Sequence, residues 1–206
     1  MNTEIIAHPK LQHFGLTTAN LDAMIGWYRQ VLGMTINHRL GRPGEAQGGP
    51  PFSAAFVSND QVHHRIAMFE MPGLAADPDK RRHTGFQHVA FEYDTLDELL
   101  GTYVRLKGLG ILPLMAADEG FQTVLYYADP DRNSVELNVN NYGNDWTATE
   151  HIRTPPAGRP RRVHIDPDKL VAARSAGASP AQLHERAFAG EFAPERPYDP
   201  REMGGL

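Results

Sequence analysis

Leu11-Gln12-His13-Phe14-Gly15-Leu16, then Asn20-Leu21-Asp22, Gly26 and Tyr28, returns 75 residues later as Phe86-Gln87-His88-Val89-Ala90-Phe91, Thr95-Leu96-Asp97, Gly101 and Tyr103. Six positions of the stretch are identical, and both copies carry a Gln-His pair. Self-similarity at a fixed offset means one supersecondary unit used twice. The two histidines therefore hold equivalent places in two related halves. Phe14 and Leu16 alternate with His13 and Gly15, and Val89 and Phe91 with His88 and Ala90, so each copy opens on a short strand. The apolar set faces a helix. Each histidine shares the other face with the small residue two places on, which leaves room beside it.

Helices follow both strands. Leu21, Met24, Ile25, Tyr28 and Leu32 have helical spacing, with Asn20 as N-cap and Gly33 as stop. Leu96, Leu99, Leu100, Tyr103 and Leu106 repeat the pattern, opened by Thr95 and closed by Gly108. After each helix come three strand-like runs: 35–40, 52–59 and 63–70 in the first half, 112–116, 123–127 and 134–140 in the second. The unit reads strand, helix, three strands, twice. Residues 41–51, rich in Gly and Pro, and 71–85 form long loops. Past Gly143 the character changes: eight of the sixteen prolines lie beyond residue 150, beside Arg153, Arg159, Arg161 and Arg162. Residues 166–188 can hold a helix, and the rest reads as an arm that wraps the body or a sister subunit.

Composition narrows the function. A net charge of -5 without long runs argues against nucleic acid. Zero cysteines exclude disulfides, thiolate nucleophiles and cysteine metal sites. The first residues show no export signal, and nothing approaches the roughly 20 apolar residues of a membrane span, so the expectation is a soluble cytoplasmic protein.

The chemistry gathers on three residues. Strand alternation turns Val135, Leu137 and Val139 toward the helix and Glu136 toward the face already assigned to His13 and His88. Two histidines and one carboxylate on rigid strands form a facial triad, which leaves open positions on Fe(II). His8, His38, His83, His151, His164 and His184 have no comparable partners and read as structural or exposed.

Residues 10–142 resemble the vicinal oxygen chelate superfamily, which includes glyoxalases, antibiotic resistance proteins, epimerases and type I extradiol ring-cleaving dioxygenases. The resemblance implies an α+β fold of two paired βαβββ modules, 10–72 and 84–142, forming a cupped mixed sheet around one metal. Residues 143–206 are then a Pro-rich C-terminal extension. Three features point to the extradiol enzymes. Ser58-Asn59-Asp60-Gln61-Val62-His63-His64-Arg65-Ile66-Ala67-Met68 looks like their segment with a histidine pair, whose second member assists proton transfer; carried over, it is His64. Alternation alone places His63, not His64, on the face of Ala67. Tyr126-Tyr127-Ala128-Asp129-Pro130 resembles the segment with a substrate-binding tyrosine, which maps to Tyr127. The first-module counterpart of Glu136 is Ala67, where a four-ligand glyoxalase I would need a second carboxylate.

One departure stands out. Glu119, in Asp118-Glu119-Gly120-Phe121-Gln122, occupies the place where many extradiol enzymes carry a histidine. The resemblance implies Fe(II), with Mn(II) as the alternative ion, held by His13, His88 and Glu136. It also implies a catechol-like or hydroquinone-like diol and O2 as substrates and a place in aromatic compound catabolism, while the Pro-rich arm suggests a homo-oligomer. Two rival functions remain: a Lewis-acid isomerase or lyase of the same superfamily using Mn(II), Zn(II) or Ni(II), and a resistance protein that binds an aromatic compound without chemistry. Oxygen consumption separates the first from the dioxygenase, and metal content the second.

Overall fold

A computed structural model describes residues 9–41 and 51–199; the N-terminal residues with His8 and most of the 41–51 loop lie outside them. The chain divides into two compact units, 1–77 and 78–206.

The first unit holds strand β1 (Phe14–Thr17), helix α1 (Leu21–Leu32) and strands β2 (Thr35–Leu40), β3 (Ser53–Ser58) and β4 (Ile66–Glu70). Asn20 caps α1 by accepting from the Ala23 amide. Gly33 ends it at φ 66°, in the left-handed region where glycine is unstrained. Leu21, Met24, Tyr28 and Val31 are buried along one face of the helix. The sheet runs β1-β4-β3-β2, with β1 parallel to β4 and the other pairs antiparallel.

The second unit repeats that order with β5 (His88–Tyr93), α2 (Leu96–Gly108), β6 (Met115–Asp118), β7 (Gln122–Ala128) and β8 (Ser134–Asn140). Thr95 and Glu98 close a capping box that satisfies two orphan donors of α2. The helix runs through Gly108, and the left-handed turn falls at Gly110. Leu99, Leu100, Tyr103 and Leu106 are buried on it, at roughly 1.5–3 kcal/mol for each fully buried leucine. The strand order is β5-β8-β7-β6, the same as in the first unit, and β5 is again parallel to β8. Both halves are βαβββ modules with mixed sheets, an α+β architecture.

The described part of the C-terminal extension, residues 143–199, carries regular structure. It forms α3 (Asp145–Arg153), strand β9 (Val163–His164), α4 (Pro167–Ser175) and α5 (Pro180–Phe188). The single helix expected over 166–188 is two, because Gly177 turns the chain at φ 98° and Ser179 caps a new start. Short as it is, β9 pairs antiparallel with β6 and becomes the fifth strand of that sheet. Asp168 on α4 accepts from Tyr103 at 2.9 Å and pairs with Lys107 at 2.6 Å, both on α2. Among the described residues, no helix is long and apolar enough to cross a membrane.

Candidate active site

Strand register makes the two modules comparable residue by residue. Gly15, two places past His13, lies opposite Ala67, and Ala90, two places past His88, lies opposite Glu136. Ala67 is therefore the first module's counterpart of Glu136. The repeat offers two histidines but only one carboxylate.

In the second unit His88 Nε2 stands 3.2 Å from Glu136 Oε2. Two donors each about 2.1 Å from one ion, at roughly 90–110° to each other, are about 3.0–3.4 Å apart, so this pair has the spacing of neighbouring ligands. Glu136 is buried, and Asn138 at 2.7 Å and Gln122 at 3.1 Å donate to its Oε1. That leaves Oε2 toward the histidine. On the other side of the ring, His88 Nδ1 is hydrogen-bonded to Gln87 Oε1. An amide oxygen only accepts, so the ring proton sits on Nδ1 and Nε2 keeps its lone pair, as a metal ligand requires.

His13 in the first unit repeats the device, its Nδ1 bonded to Gln12 Oε1. This explains the Gln-His pairs of the sequence: the glutamine sets the tautomer of the histidine beside it. Gln12 goes further. Its Nε2 donates to His63 Nε2 at 2.5 Å, and His63 Nδ1 meets His64 Nδ1 at 2.5 Å. With neutral rings the proton order follows: His63 accepts at Nε2 and donates from Nδ1, so His64 accepts at Nδ1 and carries its proton on Nε2. The His64 ring lies 4.2 Å from that of His13, and burial followed by the charges of His13 and His63 lowers its pKa. Both histidines of the pair precede β4, so strand alternation does not govern them. Of the two, His64 packs on the His13 ring.

The register separates the two tyrosines of the Tyr126-Tyr127 segment. Tyr127 lies opposite Val135, and Val135, Leu137 and Tyr127 are all fully buried; its hydroxyl has no hydrogen-bond partner among the described residues. It faces the apolar side. Tyr126 lies opposite Glu136, its hydroxyl is hydrogen-bonded to that carboxylate, and its ring stands edge-on to His88 at 5.6 Å. Burial, that hydrogen bond and the negative charges of Glu136 and Glu119 push the Tyr126 pKa well above its ordinary value. The signal was the hairpin: once Asp129–Asn133 is counted as the turn, Tyr126 falls opposite Glu136.

Glu119 pairs with Arg162, and Gln122 Nε2 donates to Glu119 Oε2 at 3.0 Å as well as to Glu136. Glu119 and Arg162 also line a cavity of about 300 Å³ with Phe121, Ile152 and Phe188. The sequence singles out Glu119, but no pattern in it points to Arg162 or Gln122. Among the described residues, no three His, Asp or Glu side chains are gathered as a ready-made metal cluster. His88 and Glu136 are together in one unit, and His13 and His64 in the other.

The model of the glyoxalase/bleomycin resistance protein/dioxygenase superfamily matches residues 10–137. The chain belongs to this superfamily. It is 35% identical over 192 residues to biphenyl-2,3-diol 1,2-dioxygenase 2 of Rhodococcus globerulus, covering 93% of this chain and 95% of that protein. Biphenyl-2,3-diol 1,2-dioxygenase 3 of the same organism is 33% identical over 88% of this chain and 90% of its own. Among solved structures, a glyoxylase/bleomycin resistance protein/dioxygenase domain from Frankia sp. EAN1pec superposes with a TM-score of 0.55 at 22% identity, over 65% of this chain and 99% of that one. Glyoxalase I of Leishmania major gives 0.51 at 15%, over 71% and 97%. These likenesses establish the superfamily fold in this chain.

Proposed function

We propose that the protein is a non-haem Fe(II) extradiol dioxygenase that opens the ring of a catechol-like or hydroquinone-like diol with O2, its metal held by His13, His88 and Glu136. The observation that carries the reading is the asymmetry of the repeat. Glu136 faces Ala90 where Ala67 faces Gly15, so the donor set is two histidines and one carboxylate, with positions left for substrate. The two Rhodococcus relatives, named for ring cleavage of a diol, support it. Mn(II) is the alternative ion for the same donors.

When bound, the metal supplies the Lewis acidity that lowers a diol hydroxyl pKa and the redox couple that O2 requires. The rest belongs to side chains. Gln12 and Gln87 hold both ligand histidines in the tautomer with a free Nε2. Tyr126, kept protonated by its raised pKa, donates to Glu136 and would turn that single hydrogen to a substrate oxygen bound beside the carboxylate. His64, kept neutral by its lowered pKa, moves a proton at its Nε2.

The test is anaerobic purification with metal analysis, then oxygen uptake on catechols and hydroquinones. One O2 per diol and a ring-opened acid are expected. His13→Ala, His88→Ala and Glu136→Ala should each fold and lose stoichiometric metal. An anaerobic reaction at full rate would reject the dioxygenase in favour of the isomerase or lyase.

A further inference from the structure

The antiparallel pairing of β6 with β9 sets Asp118 opposite Val163. One step further along the same register, Glu119 meets Arg162, and the two side chains form an ion pair. The Glu119 side chain is 10% exposed and that of Arg162 32%. The turn holding Glu119 is tightly specified: Gly120 has φ 85°, and a Cβ there would come within 2.3 Å of His151 Nε2. From Glu119 the connection continues inward. The carboxamide nitrogen of Gln122 has two hydrogens and gives one to Glu119 Oε2 at 3.0 Å and the other to Glu136 Oε1 at 3.1 Å. One amide thus bridges two poorly hydrated carboxylates. Two anions so placed repel, and the Arg162 guanidinium beside Glu119 offsets that repulsion.

We propose that Arg162 is a positioning residue of the metal site, and through it the C-terminal extension a working part of that site. By neutralising Glu119 it keeps Gln122 in the bridging orientation. Gln122, together with Asn138, in turn holds Glu136 Oε1, so that Oε2 stays toward His88. Without the guanidinium, Glu119 turns outward, and Gln122 is free to leave Glu136. This rests on the reading of Glu136 as a metal ligand.

The experiment is calorimetric titration of the metal-stripped full chain with Mn(II), with circular dichroism to confirm folding. Arg162→Met should weaken Mn(II) binding about 10- to 100-fold, the size typical of losing a group that orients a ligand. Arg162→Lys should retain most of the affinity. Combining Arg162→Met with Glu119→Gln should restore it to within a few-fold of wild type, because the charge that needed neutralising is gone. A merely structural role, in which Arg162 pins the extension, predicts no such rescue. A folded Arg162→Met with wild-type affinity, or a double variant no tighter than the single, would overturn the proposal. Should Arg162→Met fail to fold, the double variant decides alone: near-wild-type affinity supports the charge account and weakened affinity overturns it. Wild-type protein without Mn(II) binding, or undiminished binding in Glu136→Ala, would overturn the ligand reading itself, and this inference with it.

Discussion

Single atoms separate the two neighbouring tyrosines. The Tyr127 hydroxyl is buried without a partner, and such a group destabilises a fold by roughly 1–3 kcal/mol relative to one that is paired or absent. Tyr127→Phe should therefore leave the melting temperature unchanged or raised, with oxygen uptake intact. Tyr126→Phe removes the hydroxyl that faces Glu136, so turnover should fall on the order of 10²-fold in a protein that still folds. Steady-state kinetics and thermal melts on the pair of variants distinguish the residues; loss of turnover in Tyr127→Phe alone would restore the assignment made from sequence. The glutamines act at the same scale. Each spends its carbonyl on a histidine Nδ1, so Gln87→Leu should weaken divalent metal binding about 10- to 100-fold while His88 remains in place.

Between residue and fold lies the turn that presents the histidine pair. Asp60 holds it: Oδ2 accepts from Arg65 Nε at 2.9 Å and Nη2 at 2.7 Å, and Oδ1 from the Val62 amide at 2.9 Å. Arg65 also donates to the Gln12 carbonyl at 3.1 Å, tying the turn to the segment that carries His13. The Arg65 hydrogen bond, followed by that of the Val62 amide, lowers the Asp60 pKa from 3.8 to about 2. A carboxylate with a depressed folded-state pKa contributes stability above its unfolded value and loses it as pH falls through the folded one. The melting-temperature gap between wild type and Asp60→Asn should be full at neutral pH and close between about pH 4 and 2. A gap independent of pH would show that the charge of Asp60 has no part in it. This turn also shows where the sequence was legible. The caps Asn20, Gly33 and Thr95 and the Gln-His repeat are local signals that fall where spacing puts them, whereas Gly108 does not stop α2, which runs through it to a turn at Gly110. The apolar pattern predicts the fourth strand of the first module from residue 63, but pairing begins at Ile66, and alternation says nothing of residues that no ladder constrains. Leu112 was likewise counted in a strand although it is 59% exposed and pairing starts at Met115. The resemblance maps the substrate tyrosine to Tyr127, while cross-strand register, which depends on the length of a turn, sets Tyr126 opposite Glu136.

For the molecule as a whole, the sequence concealed the extension more than the repeat. A two-residue strand such as β9 carries no periodicity, and proline-rich composition resembles a tail. The second unit nonetheless draws part of its core from there: Ile165, Leu170, Leu183, Ala187 and Phe192 are all buried. His184 on α5 meets the buried Asp118 at 2.8 Å, and Asp118 also accepts from the Gly120 amide at 2.8 Å and from Asn141 at 3.0 Å, so α5 is fixed to the end of β6 beside Glu119. An arm held by surface contacts would tolerate truncation of any of its side chains. A core element would not. Leu183 is 1% exposed, and Leu183→Ala should lower stability by about 2–5 kcal/mol, read as an earlier urea midpoint with an unchanged slope. Because Arg162 reaches Glu119 only while β9 is docked, loosening this core should also weaken Mn(II) binding well before the second unit unfolds. Titration of the metal across the urea range tests that order of events; affinity that holds constant up to the unfolding transition would separate the extension's packing from the metal site.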